Sequence, residues 1–177
     1  NEGIATVYEY NYDRLVSIHH PQYPQLNIHY EYDSVGRIAK RTDIAGYESF
    51  QYDVFGNVSE TDRLFVIPTE NYAYRFRTRF NYDALGRITC ITYPDGEQVT
   101  YSYLAGHLSE ISNGNNTYIS EIKYNPYDKP ICYHFGNGYT TEYTYDSTRL
   151  WMTRQKNYNA NYLLQDLRYV YDAIGNI

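Results

Sequence analysis

A nine-residue pattern that returns along the chain constrains the fold more than any other feature of the sequence. Its clearest copies read YEYDSVGRI from Tyr30, FQYDVFGNV from Phe50, FNYDALGRI from Phe80 and YVYDAIGNI from Tyr169. Each copy contains an aromatic residue, one intervening residue, Tyr-Asp, two variable residues, Gly, a polar residue and an aliphatic residue. Self-similarity at a period of about 20 to 50 residues is the signature of repeat architectures, so the chain is predicted to be an array of one structural unit.

The tyrosine before the motif aspartate marks eight copies in a constant register. The residue two positions earlier is aromatic in seven of the eight, and the residue between the two is polar in seven. Alternation with a period of two is typical of a β-strand with one covered face. The eight motif tyrosines are Tyr12, Tyr32, Tyr52, Tyr82, Tyr103, Tyr124, Tyr145 and Tyr171.

Turn-forming residues follow each predicted strand. The residue after the motif tyrosine is Asp in six of the eight copies, and its carboxylate can accept hydrogen bonds from nearby backbone N–H groups. The glycine three residues later can adopt a positive φ. A second turn is predicted mid-repeat, where Pro94-Asp95-Gly96 suits a type I turn completed by glycine, and Gly46 and Gly138 lie at the same offset. The six aspartates are Asp13, Asp33, Asp53, Asp83, Asp146 and Asp172.

Each repeat is therefore predicted to be one β-hairpin. The expected fold class is all-β, a repetitive antiparallel β-hairpin meander of about fourteen strands. Residues 1–177 are predicted to form a single array of about eight repeat motifs, a fragment of a longer protein. Because open twisted sheets rarely exceed about ten strands without curling, we expect this strip to curve or spiral. The copies at Tyr103-Leu104-Ala105-Gly106 and Asn125-Pro126-Tyr127-Asp128 depart from the motif, and altered turns on a continuous sheet are expected there.

The interval of thirty residues between Tyr52 and Tyr82 contains an insertion. In its second half, aromatic residues alternate with arginines. Cross-strand pairing predicts that the arginines lie opposite Glu60 and Asp62 on the preceding strand, in one long hairpin that projects past its neighbours. The aromatic face comprises Tyr72, Tyr74, Phe76, Phe80 and Tyr82, and the opposite face carries Arg75, Arg77 and Arg79.

Composition argues against two classes of function. The formal net charge of −6 argues against a nucleic-acid partner, because neutralising phosphates requires clustered Lys and Arg. No run of about 18 apolar residues occurs, so no membrane span is predicted. Tyrosine accounts for 25 residues and phenylalanine for 6, so the sheet must use tyrosine rings as core material while their hydroxyls stay bonded or wet.

The sequence predicts no catalytic, cofactor-binding or metal-binding residues. Paired catalytic carboxylates need one shared pocket and different pKa values, whereas a repeat places each motif aspartate in an equivalent setting, which favours turn capping over catalysis or calcium binding. No phosphate-binding loop or Gly-x-Ser-x-Gly occurs, so no enzyme activity and no cofactor are expected. The five histidines show no metal-ligand spacing, and they are His19, His20, His29, His107 and His134.

Both cysteines are predicted to be free thiols. Cys90 and Cys132 each lie eight residues after a motif tyrosine, two repeats apart, and therefore at equivalent places on strands about four apart. At about 4.8 Å per strand this separation is about 19 Å, well beyond the roughly 7 Å Cα limit for a disulfide.

The repeat resembles the YD repeat, or Rhs repeat. Tyr-Asp-x-x-Gly-Arg-Ile followed by Tyr-Pro-Asp-Gly and Tyr-x-Tyr is similar to the repeat of bacterial Rhs and wall-associated proteins, of the B and C components of insecticidal Tc toxins, and of teneurins. The resemblance covers essentially the whole chain. It implies a spiralling strip of hairpins in a hollow β-shell that encloses a C-terminal toxin or effector. The self-cleaving core that follows the repeats in this family has no match here.

The resemblance sets the expected partners. These are the remainder of the parent shell and its enclosed C-terminal domain, in a secreted or cell-surface bacterial protein. A carbohydrate-binding or adhesive module is the alternative, because aromatic rings edged with Asp, Asn and Arg can stack against sugars, which makes glycans a further candidate partner. Self-association is also expected, because strands at the ends of an array expose unpaired backbone groups.

Overall fold

The computed structural model describes residues 5–67 and 72–177, and within these ranges the protein is all-β. Fifteen strands occur in the described residues, and a short 3₁₀ turn at Pro24–Leu26 is the one helical element among them. The chain divides into two compact units, one ending at Glu97 and the other beginning at Gln98. Copies of the repeat motif lie in both units. The prediction of an all-β antiparallel fold is confirmed.

The first unit is a meander of eight antiparallel strands, in which each strand pairs with its neighbours in the sequence. The register follows the predicted hairpins, for example Thr42 opposite Tyr47 in the second of them. The strands are β1 (Val7–Asn11), β2 (Arg14–His19), β3 (Ile28–Tyr32), β4 (Ile38–Asp43), β5 (Gly46–Tyr52), β6 (Val58–Ile67), β7 (Tyr72–Tyr82) and β8 (Ile88–Thr92).

The second unit is also a meander, of seven antiparallel strands in sequence order. Its hairpins repeat the pattern, and Thr141 pairs with both Tyr133 and Asn157 on the flanking strands. The strands are β9 (Gln98–Leu104), β10 (His107–Ser112), β11 (Thr117–Tyr124), β12 (Pro130–Phe135), β13 (Thr140–Tyr145), β14 (Met152–Tyr158) and β15 (Leu163–Arg168).

The core is thin. Among the described residues, the buried hydrophobic side chains are Val99, Ile122 and Cys132. Most motif tyrosines are half-buried, as expected where one sheet face carries wide rings with polar tips. Cohesion must therefore come from the strand ladders and from side-chain bonds between strands as well as from a packed interior.

The mid-repeat turn at Pro94-Asp95-Gly96 has the predicted form. The Tyr93 N–H donates to the Glu97 carbonyl, the Gly96 N–H donates to the Tyr93 carbonyl, and Gly96 has a φ of 91°. Gly46 differs, because it is the first residue of β5 and a Cβ there would lie 2.1 Å from the Leu64 carbonyl oxygen. Glycine is needed at this position chiefly for the close approach of β6.

The first copy of the motif departs from the prediction. Tyr12 does not end a strand but forms the two-residue loop between β1 and β2 together with Asp13. Its φ is 57° and its side chain is 98% exposed. The physical reason is the missing glycine: Asn11 pairs directly with Arg14, which leaves room for only a tight two-residue turn.

The two atypical copies in the second unit have altered turns on continuous strands, as expected. Ala105 and Gly106 form a two-residue loop with φ values of 49° and 91°. Asp128 occupies the position of the motif glycine with a φ of 60°. Asn and Asp tolerate this left-handed region better than most residues, so the turn survives the substitution.

Candidate functional site

The motif aspartate caps its own turn. In Asp83, Oδ1 accepts hydrogen bonds from the backbone N–H groups of Leu85 and Arg87 at 2.9 and 3.0 Å. The Asp83 N–H donates to the Arg87 carbonyl, and the Gly86 N–H donates back to the Asp83 carbonyl. The same two-bond cap to residues two and four positions later is formed by Asp33, Asp53, Asp172 and the substituted Asn125. The predicted capping role is confirmed for these copies.

The polar residue after the motif glycine completes the cap. Asp83 Oδ2 accepts from Arg87 Nε at 2.7 Å, and Asp53 Oδ2 accepts from Asn57 Nδ2 at 2.9 Å. The repeat pattern predicts only that this position is polar and indicates no role for it. The signal was present, because the position holds Arg or Asn in each of the four clearest copies, and both residues can donate to a carboxylate.

These bonds hold the carboxylates in the ionised form. The hydrogen bond from Arg87 lowers the pKa of Asp83 below its usual range, with the backbone donors of the turn adding to the effect. The bond from the Asn57 side chain lowers the pKa of Asp53 in the same way, and that from Asn176 lowers the pKa of Asp172. Hydrogen bonds to the charged form favour it.

The motif tyrosine fastens its turn to the preceding one. The Tyr82 hydroxyl donates to the Val58 carbonyl at 2.8 Å, and the Tyr52 hydroxyl donates to the Ile38 carbonyl at 2.7 Å. In each case the acceptor is the aliphatic residue that ends the previous copy of the motif. Four further bonds of this kind are donated by Tyr32 to Leu15, Tyr124 to Leu108, Tyr145 to Pro130 and Tyr171 to Met152.

A β-bulge lies next to each of these six acceptors. In the β5–β6 hairpin, Gln51 lies opposite Glu60 but Tyr52 lies opposite Val58, so β6 has one extra residue at this point. A bulge disrupts the ladder locally and leaves backbone groups unpaired. The Val58 carbonyl is satisfied by the hydroxyl of the next motif tyrosine, Tyr82, which gives that hydroxyl a structural role.

Arginine side chains add a second contact between successive turns. The guanidinium of Arg37 bonds to Asp33 in its own turn and also lies 4.1 Å from the ring centroid of Tyr52 in the next. A Cβ added at Gly56 would lie 3.6 Å from the same guanidinium. A cation above a tyrosine face is favourable, so one arginine stabilises two neighbouring repeats.

The long hairpin of β6 and β7 has the predicted charge pairing. Arg75 forms a bidentate hydrogen bond with Asp62, and the Asp62 side chain is only 10% exposed. Arg79 Nε lies 2.8 Å from Glu60 Oε2, and Arg77 lies between the two acids, 3.3 Å from Glu60 and 3.4 Å from Asp62. The bond from Arg75 lowers the pKa of Asp62. The tip of the hairpin, residues 68–71, lies outside the described residues.

The histidines are dispersed. His19 lies 3.2 Å from Glu9, His107 lies 3.2 Å from Asp128, and His134 lies 3.5 Å from Glu121. Within residues 5–67 and 72–177, no group of three or more His, Cys, Asp or Glu is arranged to hold a metal ion. Both thiols are free, as predicted, and burial raises the pKa of Cys132.

The motif turns are the repeated polar feature of the chain, and their hydrogen bonds hold the turns and neighbouring strands together. Carboxylates accept from their own turn, and the hydroxyls that could meet a ligand donate to the neighbouring strand. In the described part of the chain, no helix is long and apolar enough to cross a bilayer.

Comparison with protein families and solved structures agrees with this geometry. A family model described as RHS Repeat matches residues 32–64 and 82–118. No curated protein matched the sequence. A crystal structure of TcdB2-TccC3 superposes with a TM-score of 0.79 at 21% identity, over 97% of this chain and 10% of that one. A Photorhabdus luminescens Tc holotoxin pore gives a TM-score of 0.62 at 16% identity, over 98% of this chain and 12% of that one.

The chain thus spans about a tenth of the length of the structures it resembles, and the likeness to them is one of fold. The two matched stretches contain the motif turns of Asp33, Asp53 and Asp83, whose bonds are described above. The resemblance inferred from the sequence is confirmed, since residues 32–64 and 82–118 match the RHS, or YD, repeat.

Proposed function

We propose that this chain is a structural segment of a large Rhs-type β-shell that encapsulates a C-terminal toxin or effector. The observation that carries the proposal is the set of six tyrosine hydroxyls that donate to the carbonyl at the preceding motif turn. Because each of these hydroxyls is used in a hydrogen bond to the neighbouring repeat, the tyrosines hold successive repeats together. Its partners are the remainder of the shell and the enclosed domain, in a secreted or cell-surface bacterial protein.

The proposal assigns the chain no catalytic role. The carboxylates of Asp33, Asp53, Asp83 and Asp172 each cap their own turn in an equivalent way. Acid–base catalysis instead requires two carboxylates that share one pocket. The repeats in the rest of the shell would be held together by the same kinds of bonds.

Limited proteolysis of the parent protein tests the encapsulating role. The segment that follows the array should resist protease while the array is intact and become cleavable when Tyr52, Tyr82 and Tyr124 are all replaced by Phe. The cleavage pattern is read by mass spectrometry. A following segment that is cut equally fast in both proteins, with the array still folded, would contradict encapsulation.

A surface depression in the second unit supports carbohydrate binding as a second candidate function. The Thr141 hydroxyl donates to Asn157 Oδ1 at 2.7 Å, and Asn157 Nδ2 donates to Gln165 Oε1 at 2.7 Å. Phe135 and Tyr139 line the same depression of about 780 Å³. Amides beside aromatic rings suit sugar hydroxyls and sugar C–H faces, respectively.

A glycan array separates the two candidates. A wall segment should bind no glycan selectively. Selective binding by the unmodified chain that is lost in Gln165→Ala and kept in Gln22→Ala, a change on the other unit, would favour the carbohydrate-binding role.

A further inference from the structure

One side of the long hairpin is an open strand edge. β7 pairs with β6 from Tyr72 opposite Ile67 to Arg79 opposite Glu60, whereas its pairing with β8 begins only at Arg79 opposite Thr92. Residues 72–78 therefore have a strand partner on one side only within the described chain.

The direction of the backbone groups along this edge follows from two hydrogen bonds. The Asp83 N–H donates to Arg87, on the β8 side, and the Val66 N–H donates to Ala45, on the β5 side. Backbone groups alternate between the two sides of a strand, and the β6–β7 register is uninterrupted. Both bonds give the same result: the N–H and C=O groups of Ala73, Arg75 and Arg77 point to the open side.

The two faces of the edge differ in chemistry. One face carries Arg75, Arg77 and Arg79 against Glu60 and Asp62, three positive charges against two negative ones, which leaves an excess of one. The other face carries an aromatic row whose members are 57%, 44% and 48% exposed, and these are Tyr72, Tyr74 and Phe76.

We propose that this edge, residues 72–78 of β7, binds an extended peptide segment that adds as a further strand in line with β8. Strand addition takes its affinity from main-chain hydrogen bonds and its selectivity from alternate side chains. The segment would place acidic residues opposite Arg75 and Arg77, and aliphatic residues opposite the aromatic row. This role is separate from the shell function proposed above.

Charge argues for an acidic segment over a second copy of the chain. Two copies joined antiparallel through this edge would bring Arg75 and Arg77 of one copy against the same arginines of the other. Like charges directly opposite each other destabilise a strand pair. The arginines thus disfavour pairing of this β7 edge with the β7 edge of a second copy, and they favour a partner of opposite charge.

The test uses the folded chain and a labelled peptide, Val-Glu-Val-Glu-Val-Glu-Val, with fluorescence anisotropy as the readout. We expect saturable binding that weakens as salt is raised. A peptide with Lys in place of Glu should bind at least about tenfold more weakly, which corresponds to about 1.4 kcal/mol. Hydrogen exchange should show new protection of the Ala73, Arg75 and Arg77 amides, with little change at Tyr74 and Phe76.

Two changes each remove main-chain N–H donors of the proposed strand pair, one on the protein and one on the peptide, without removing the hairpin. Ala73→Pro deletes an N–H that points away from β6, so the β6–β7 ladder keeps its bonds, and circular dichroism checks that the variant folds. A peptide whose backbone nitrogens are methylated along one edge only loses its own N–H donors on that edge, and it gives the same test on the unchanged protein. Loss of binding of about tenfold in either case supports the proposal. Binding that is absent, unchanged in both cases, or equal for the Lys peptide would overturn it.

Discussion

At the scale of single residues, the motif is a set of complementary donors and acceptors. The aspartate binds its own turn, the residue after glycine donates to that aspartate, and the tyrosine donates to a carbonyl that the bulge has released. Asp83, Arg87 and Tyr82 illustrate the three roles. Each bond replaces one that the group would otherwise make with water, so the net gain per bond is modest and depends on the partner being present.

Removing one tyrosine hydroxyl tests this scheme. Tyr82→Phe keeps the ring but leaves the half-buried Val58 carbonyl without its donor, and we expect a loss of about 1 kcal/mol in the free energy of unfolding. The control is Tyr12→Phe, at a ring that is 98% exposed, where the change should be close to zero. Urea denaturation measures both. Equal effects in the two variants would remove the role assigned to the motif hydroxyl.

The caps predict a loss of stability in acid. The pKa values of Asp53, Asp83 and Asp172 are lowered in the folded protein from an ordinary value of 3.8, so their contribution is present above that pH and disappears as the pH falls through the lowered values. Asp83→Asn should reduce this acid dependence and destabilise the protein at neutral pH, because the NH₂ group that replaces Oδ2 cannot accept from the Arg87 guanidinium. Asp53→Asn should cost less, since the Asn57 amide can turn to present its oxygen. Thermal unfolding from pH 7 to pH 2.5 measures both variants.

At the scale of the hairpin, the sequence correctly predicted both the strands and the residues that face each other across them. The alternation of Arg75, Arg77 and Arg79 with aromatic residues correctly predicted both the strand and the acids opposite it, because a period of two fixes the face of every residue. The prediction that Tyr12 ends a strand is wrong. The local Tyr-Asp motif is present there, but the glycine is missing, and the pairing of Asn11 with Arg14 determines the turn instead.

The bonds between turns could not be predicted in the same way. Which carbonyl accepts from Tyr52 or Tyr82 depends on a bulge in the partner strand, and a bulge is a property of two paired strands. Six aspartates at repeat spacing predicted the caps, because an aspartate cap is local to its own turn. The contacts of the caps with neighbouring repeats, such as Arg37 over Tyr52, required the three-dimensional register.

The long hairpin depends on its most buried acid. Asp62→Ala would remove the bidentate partner of Arg75 and leave Arg77 with Glu60 alone. We expect a loss of about 2 kcal/mol in the free energy of unfolding, as for other hydrogen bonds to charged groups. Asp166→Ala, which removes a more exposed partner of Arg154 on β15, should cost clearly less. Denaturant titration of the two variants gives the comparison, and an equal or reversed order would contradict the importance of burial here.

At the scale of the whole chain, stability should fall at high pH. Burial raises the pKa values of Tyr82, Tyr124 and Tyr145 above the ordinary value of 10.0. A raised pKa in the folded state means that the stabilisation is complete below pH 10 and is lost as the pH rises through the folded values. Tyrosinate absorbance and circular dichroism, followed together, should change cooperatively above pH 10. Tyrosine ionisation without loss of structure would contradict the contribution of these hydroxyls.

Self-association remains a prediction for the whole chain. β1 and β15 each pair on one side only in the described structure, and every residue of both strands is exposed. Such edges favour pairing with another copy. Sedimentation at several concentrations should show a rising average mass, accompanied by increased hydrogen-exchange protection in β1 and β15. A single monomeric species with well-protected outer strands would show that these edges are covered.

The tyrosine hydroxyl bonds between successive turns all run in one direction. In each of the six, the tyrosine that donates lies later in the sequence than the carbonyl that accepts. During synthesis the acceptor carbonyl therefore leaves the ribosome before the tyrosine that donates to it. Each new repeat can form its bond to a turn that has already emerged. Domains generally form from the N-terminus as the chain emerges. Such an array can be assembled one repeat at a time while translation continues, and adding a repeat to the gene would require no change in those before it.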